Sequence, residues 1–191
     1  MDVLPAGVPL RPQLDVTRVR IVRAQDPAWL RLAEAAGWRV ERGSAGYVWT
    51  DGRGTLGVAE DEGWDGDDTW AQLLLHEWCH FLTEGWRARW CADWGLDNLS
   101  DSDAWRERAA LRLQAYVTAR WGLEEVLAPT TDFWLDYQAL REAPLEAVGR
   151  HPETAAAERL LAHEALTRWW AWGWRPSVEE RLRVLAADLR G

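Results

Sequence analysis

The chain runs to 191 residues, 48% of them hydrophobic and 28% charged, with a net charge of −9. That size suits one domain with a sizeable buried core, and the acidic balance argues against a nucleic-acid partner, whose phosphates demand a basic face. No apolar run reaches the roughly 18 residues of a helical membrane span.

Two features depart from an ordinary globular mix: there are 16 Trp, and all 22 basic residues are Arg. The Trp residues are spread along the whole length, which reads as core filler rather than as one aromatic groove. Cys79 and Cys91 do not make a disulfide framework. The N-terminal stretch, Met1-Asp2 with Pro5, Pro9 and Pro12, lacks the apolar run of a secretory signal, so the expected location is cytoplasmic.

In chain order, residues 1–15 read as a Pro-rich extended arm. Val16 to Val22 alternates apolar and polar residues, the period of a half-buried strand. Asp26-Pro27 opens a short helix, with Asp as N-cap and Pro at the first helical position; Trp29, Leu30, Leu32, Ala33 and Ala36 form its apolar face, and Gly37 ends it. Two short strands follow, near Tyr47 to Thr50 and Thr55 to Ala59, joined by the turn Asp51-Gly52-Arg53-Gly54. An acidic, Gly-containing loop, Asp61 to Asp68, leads on to the next helix.

Thr69 and Gln72 stand at capping-box spacing and mark the start of that helix. It carries His76-Glu77-Trp78-Cys79-His80, an H-E-x-x-H motif that uses two of the chain's four histidines. Four-residue spacing on a helix puts both imidazoles on one face, as two nitrogen ligands of one metal ion require. Glu77 is then placed to take a proton from a metal-bound water or to act as acid and base beside the ligands. Trp70, Leu74, Trp78, Phe81 and Leu82 supply the buried side, and Gly85 the stop.

A polar loop, Asp97 to Ser102, precedes a helix from about Asp103 to Trp121. Its inward stripe is Glu107, Ala110, Leu111, Gln114 and Val117. A carboxylate on such a stripe is anomalous, and Glu107 reads as a third metal ligand, with small Ala110 letting the two helices approach. The alternative is an edge glutamate paired with Arg108 or Arg112, with Asp93, Glu84 and Asp97 as competing ligands. Three further helices are expected, at Phe133 to Arg141, Pro152 to Trp172 and Pro176 to Leu189. The Trp169 to Trp174 segment reads as a packed helix end, and His151 and His163 as structural or solvent-facing.

His76-Glu77-x-x-His80, Gly85, Arg89 and Asp93-x-Gly95 together resemble the core of the elongation factor P hydroxylase family, and Glu107 and Gln114-Ala115 are similar to a Glu and a Gln-Ala in that family's next helix. The resemblance covers roughly residues 45–120. Where the family has an aromatic and Pro-Asp-Gly-Arg stretch after the Asp-x-Gly turn, this chain has the shorter loop Leu96 to Asp103. The resemblance implies a non-haem Fe(II) enzyme that hydroxylates a modified lysine of elongation factor P. His76, His80 and Glu107 would be its metal ligands, Glu77 would act beside them, and Arg89, Asp93 and Gln114 would support the site or the substrate.

The motif alone is shared with zincin-like metallopeptidases, so a Zn(II) hydrolase with Glu77 as general base is the rival reading. In that reading Tyr116, His163 or Arg89 would stabilise an oxyanion. A non-catalytic binding module is the third reading. The expected partner is a protein or peptide substrate, elongation factor P in the first reading. The expected fold is α+β: a single domain over 1–191 with a small N-terminal β-sheet (16–60, with one helix), metal-site helices (66–121) and a helical C-terminal part (122–191).

Overall fold

The structure, a computed structural model, describes residues 15–43, 48–59, 68–97, 100–129 and 133–191. The expected arm, save for Asp15, lies outside the described residues, as do Tyr47 and all of the acidic loop but Asp68.

The first described element corrects an expectation. Val16 to Val22 belongs to a helix, α1 (Val16–Ala24), and not to a strand. Asp15 caps it, its carboxylate accepting from Thr17 N at 2.7 Å. Val19 and Val22, three apart, are its buried residues, while Val16 is 73% exposed. The helical spacing of that pair, packed on α2 and α3 (Trp70–Glu84), overrides the apparent alternation.

Helix α2 (Asp26–Ala35) forms where Asp26-Pro27 predicts it, burying Trp29 and Ala33, and Gly37 beyond its end takes φ +84°. Asp26 does not cap its own helix. Its Oδ1 instead accepts from Trp70 N at 3.0 Å, at the N-terminus of α3. Burial pushes Asp26 up to about 6, against the backbone N–H groups of Trp70 and Ala71.

The sheet holds β1 (Arg39–Gly43), β2 (Trp49–Thr50) and β3 (Thr55–Ala59) in the order β1-β3-β2, with β1 parallel and β2 antiparallel to β3. The hairpin β2–β3 stands where the turn residues place it, and Asp51 Oδ1 ties the turn by accepting from Arg53 N and Thr55 N. β1 takes the place expected for Val16 to Val22. Among its four leading residues only Val40 is apolar, so it carries no alternation to read, as befits an edge strand. Gly57 is required in β3, because a Cβ there would lie 1.9 Å from the indole of Trp49.

Thr69 caps α3 by accepting from Gln72 N at 3.2 Å, and Gly85 stops the helix at φ +85°. Gln72 does not close the capping box; its amide donates to Ala128 O. At the other end Arg168 donates to the carbonyls of Leu82 and Thr83 at 2.7 and 2.8 Å, filling acceptors that a helix end leaves open. α4 (Ala104–Ala119), α5 (Trp134–Leu140), α6 (Ala155–Ala171) and α7 (Arg175–Asp188) complete an α+β architecture. α3 lies at its centre, buried on almost every side by α2, α4 and α6. Trp29 meets Trp78 at 5.9 Å between ring centroids, Trp78 meets Trp172 at 5.6 Å and Trp38 meets Trp94 at 5.3 Å, so the Trp residues do fill the core. Trp169 and Trp172 pack inward at the α6 end, while Trp170 is 48% exposed. Among the described residues no helix is long and apolar enough to cross a membrane.

Candidate metal centre

His76 and His80 project from one face of α3 towards Glu107 on α4. His76 Nε2 lies 3.1 Å from Glu107 Oε1, His80 Nε2 2.9 Å from Glu107 Oε2, and the two Nε2 atoms are 3.1 Å apart. Two donors each about 2.0–2.2 Å from one ion stand about 3 Å apart at a right angle and about 3.4 Å apart at a tetrahedral angle. The two imidazole nitrogens and the Glu107 carboxylate, which meets them through different oxygens, therefore form a compact group that could hold one divalent ion.

The charges fit as well. Burial pushes the His76 imidazole down, but the Glu107 carboxylate beside it, with Glu77 and Gln114, outweighs burial and lifts it to about 9. The two imidazoles in turn hold Glu107 well below the usual carboxylate range, although burial pushes it up. This pocket attracts positive charge, and a divalent ion supplies it while leaving both imidazoles neutral and able to ligate.

Gln114, seven residues and about two turns beyond Glu107 on α4, sets the tautomer. Its Nε2 donates to Leu127 O at 2.5 Å, which turns Oε1 towards His76 Nδ1 at 2.9 Å. With an ion bound, His76 would carry its proton on Nδ1 and offer its Nε2 lone pair as a ligand, the arrangement that outer hydrogen bonds give ligating histidines. Arg108 and Arg112, the alternative partners for Glu107, face away from it and pair with Glu158 on α6.

Glu77 is buried, and its Oε2 accepts from Trp94 Nε1 at 2.7 Å. Trp94 is the residue that motif reasoning missed; the signal was the Asp-x-Gly turn itself. Asp93 and Trp94 take φ +47° and +59°, a region that non-glycine residues seldom occupy. Asp93 Oδ1 accepts from Thr50 N at 3.1 Å and a bridge joins Asp51 to Ala92, so the β2–β3 hairpin holds the strained turn that aims the indole at Glu77.

The other candidates are accounted for. Asp93 is committed to the hairpin, Glu84 to Arg106 and Asp97 to Ser100 and Ser102, which leaves Glu107 as the carboxylate brought to the histidines. Arg89 donates to Gly37 O at 2.7 Å and lies over the Trp38 ring. His163 is exposed on α6 against Leu145 O, and His151 sits between Asp136 and Glu153. Compared with models of known families, with curated proteins and with solved structures, the chain gives no match.

Proposed function

We propose that the chain is a metal-dependent enzyme that modifies a protein or peptide side chain, with Fe(II) held by His76, His80 and Glu107. The observation that supports this reading is the compact group of two imidazole nitrogens and one carboxylate, with Glu77 beside it. These three side chains would hold the iron ion, and the ion would supply the oxygen chemistry. The chain's own groups do the rest. Gln114 fixes His76 as a neutral ligand. Trp94 holds one oxygen of Glu77, so that the other is the oxygen available to take or hold a proton beside the site. The elongation factor P hydroxylase family, which the motif residues resemble, suggests a lysine-bearing protein such as elongation factor P, in the cytoplasm. The acidic balance of the chain suits a basic substrate through long-range steering.

A Zn(II) hydrolase using Glu77 as general base is the second reading, carried by the same three donors. Of the three groups that would stabilise an oxyanion in it, Arg89 and His163 are engaged elsewhere, while Tyr116 on α4 packs partly buried against the core.

The deciding experiment is metal content by mass spectrometry after anaerobic purification with iron and zinc both supplied. Near-stoichiometric iron, followed by an added oxygen on elongation factor P, supports the hydroxylase reading. Zinc with peptide cleavage supports the hydrolase, and a wild type that retains no metal overturns both. In either case Glu77→Gln should keep the metal and lose activity; full activity in that variant removes the proton-transfer role.

A further inference from the structure

A cleft of about 430 Å³ opens between the end of α2, β1, the β2–β3 turn and the 3-10 helix Trp86–Trp90 that follows α3. Its walls carry three guanidinium groups, Arg39, Arg53 and Arg89, in a chain whose net charge is −9. Arg39 is already paired, with Glu41 at 2.6 Å and the Thr55 hydroxyl at 2.6 Å. The other two are not. Among the described residues Arg53 is bonded only through its backbone N–H, to Asp51. Arg89 gives one bond to Gly37 O and lies 4.7 Å above the Trp38 ring, while its Nε is buried without a hydrogen-bond partner.

A surface arginine that merely stacks on an indole keeps its N–H groups in water. Arg89 and Arg53 both line the cleft, and among the described residues neither is neutralised by a carboxylate, so the two guanidinium groups offer charged donors to an anion that enters it. Trp90 borders the same cleft with its indole 70% exposed and Arg89 5.8 Å from its ring, an uncovered flat surface next to the cationic end. Glu34, which also lines the cleft and has no ion pair among the described residues, repels an anion there, and a doubly charged one more than a singly charged one.

We propose that this cleft is a binding site for a small carboxylate, its oxygens held between Arg53 and Arg89 and its flat or apolar remainder laid on Trp90. The site stands apart from the metal centre and does not depend on which metal chemistry the chain performs. The test is calorimetric titration with benzoate, and with benzyl alcohol, inorganic phosphate and phenyl phosphate in its place, with the indole N–H resonance of Trp90 followed by NMR. Benzoate should bind and move the Trp90 signal, benzyl alcohol should not bind, and both phosphates should bind more weakly than benzoate. Arg53→Gln should weaken benzoate binding by about tenfold or more, the loss of one charged hydrogen-bonding partner. Trp90→Ala should weaken it several-fold. Arg120→Gln, which removes a guanidinium from the distant Trp170 surface, should change nothing. Equal affinity for benzyl alcohol, tighter binding of phenyl phosphate, or unchanged benzoate affinity in Arg53→Gln would overturn the assignment.

Discussion

Helix α4 carries two buried charged clusters, and they are finished to different degrees. On the side facing α6, Arg112 is fully buried and uses all five of its N–H groups: three hydrogen bonds go to the carbonyls of Pro144, Glu146 and Val148, and two to Glu158. Arg108 and Thr154 fill the other oxygen of Glu158. On the side facing α3, Glu107 meets two imidazoles, a second carboxylate lies nearby at Glu77, and His80 Nδ1 is buried with no hydrogen-bond partner. One cluster is closed, with all five Arg112 N–H groups and both Glu158 oxygens filled, a staple between α4, α6 and the 141–150 segment. The other carries more negative charge than its neighbours answer and stays partly open to solvent. Charge burial alone does not mark a site; the unanswered remainder does.

The largest break in this comparison should come from the closed side. Arg112→Ala leaves Glu158 buried and half paired and should cost about 3–5 kcal/mol, read as a shift in the denaturation midpoint. Replacing Arg112 and Glu158 together by apolar residues of similar volume should recover most of that loss. The open side should respond the other way round. Glu107→Gln should cost less than about 1 kcal/mol of fold stability, yet weaken metal retention by more than about 100-fold, beyond what loss of an outer hydrogen-bond partner produces. A variant that keeps its metal would remove Glu107 from the ligand set.

Gln114→Leu sharpens the contrast further. It fills the same space but no longer fixes the His76 tautomer, and metal affinity should fall by about 10–100-fold in a chelator competition assay. The last prediction concerns Asp26 and is read as a change with pH. Its folded value, about 6, lies above its ordinary 3.8, so the folded chain holds that proton more tightly than the unfolded chain does. The corresponding stability is complete below pH 3.8 and is lost as pH rises through about 6. Asp26→Asn keeps the acceptor for Trp70 N without the charge. Its melting temperature should therefore gain on the wild type between pH 4 and 7, and a constant difference across that window would contradict the burial argument.

How much of this could be read from the residues varies with the physical signal. Helix α3 announces itself, because a cap at Thr69, a stop at Gly85 and histidines four apart are all local. Glu107 was legible as a carboxylate on an apolar stripe. The fate of its neighbours was not: Arg108 and Arg112 read as surface residues until Glu158, some 46 positions away from Arg112, is brought beside them. Trp94 escaped for a similar reason, since nothing in Asp93-Trp94-Gly95 tells that Thr50 will pin the turn. Val16 to Val22 failed because seven residues hold both a period of two and a pair three apart, and only the helices packed against them decide between the two.

The aromatic core has an optical consequence. Trp29, Trp78, Trp172 and Trp169 form a chain of neighbours with ring centroids 5.6–5.9 Å apart. Indoles that close exchange excitation, so their couplet will overlie the helical band in far-ultraviolet circular dichroism and distort any helix content read from it. The same exchange will depolarise tryptophan emission in the folded protein, however slowly the molecule tumbles. Loss of the couplet on unfolding would then report the integrity of the core directly, with no need of metal or substrate.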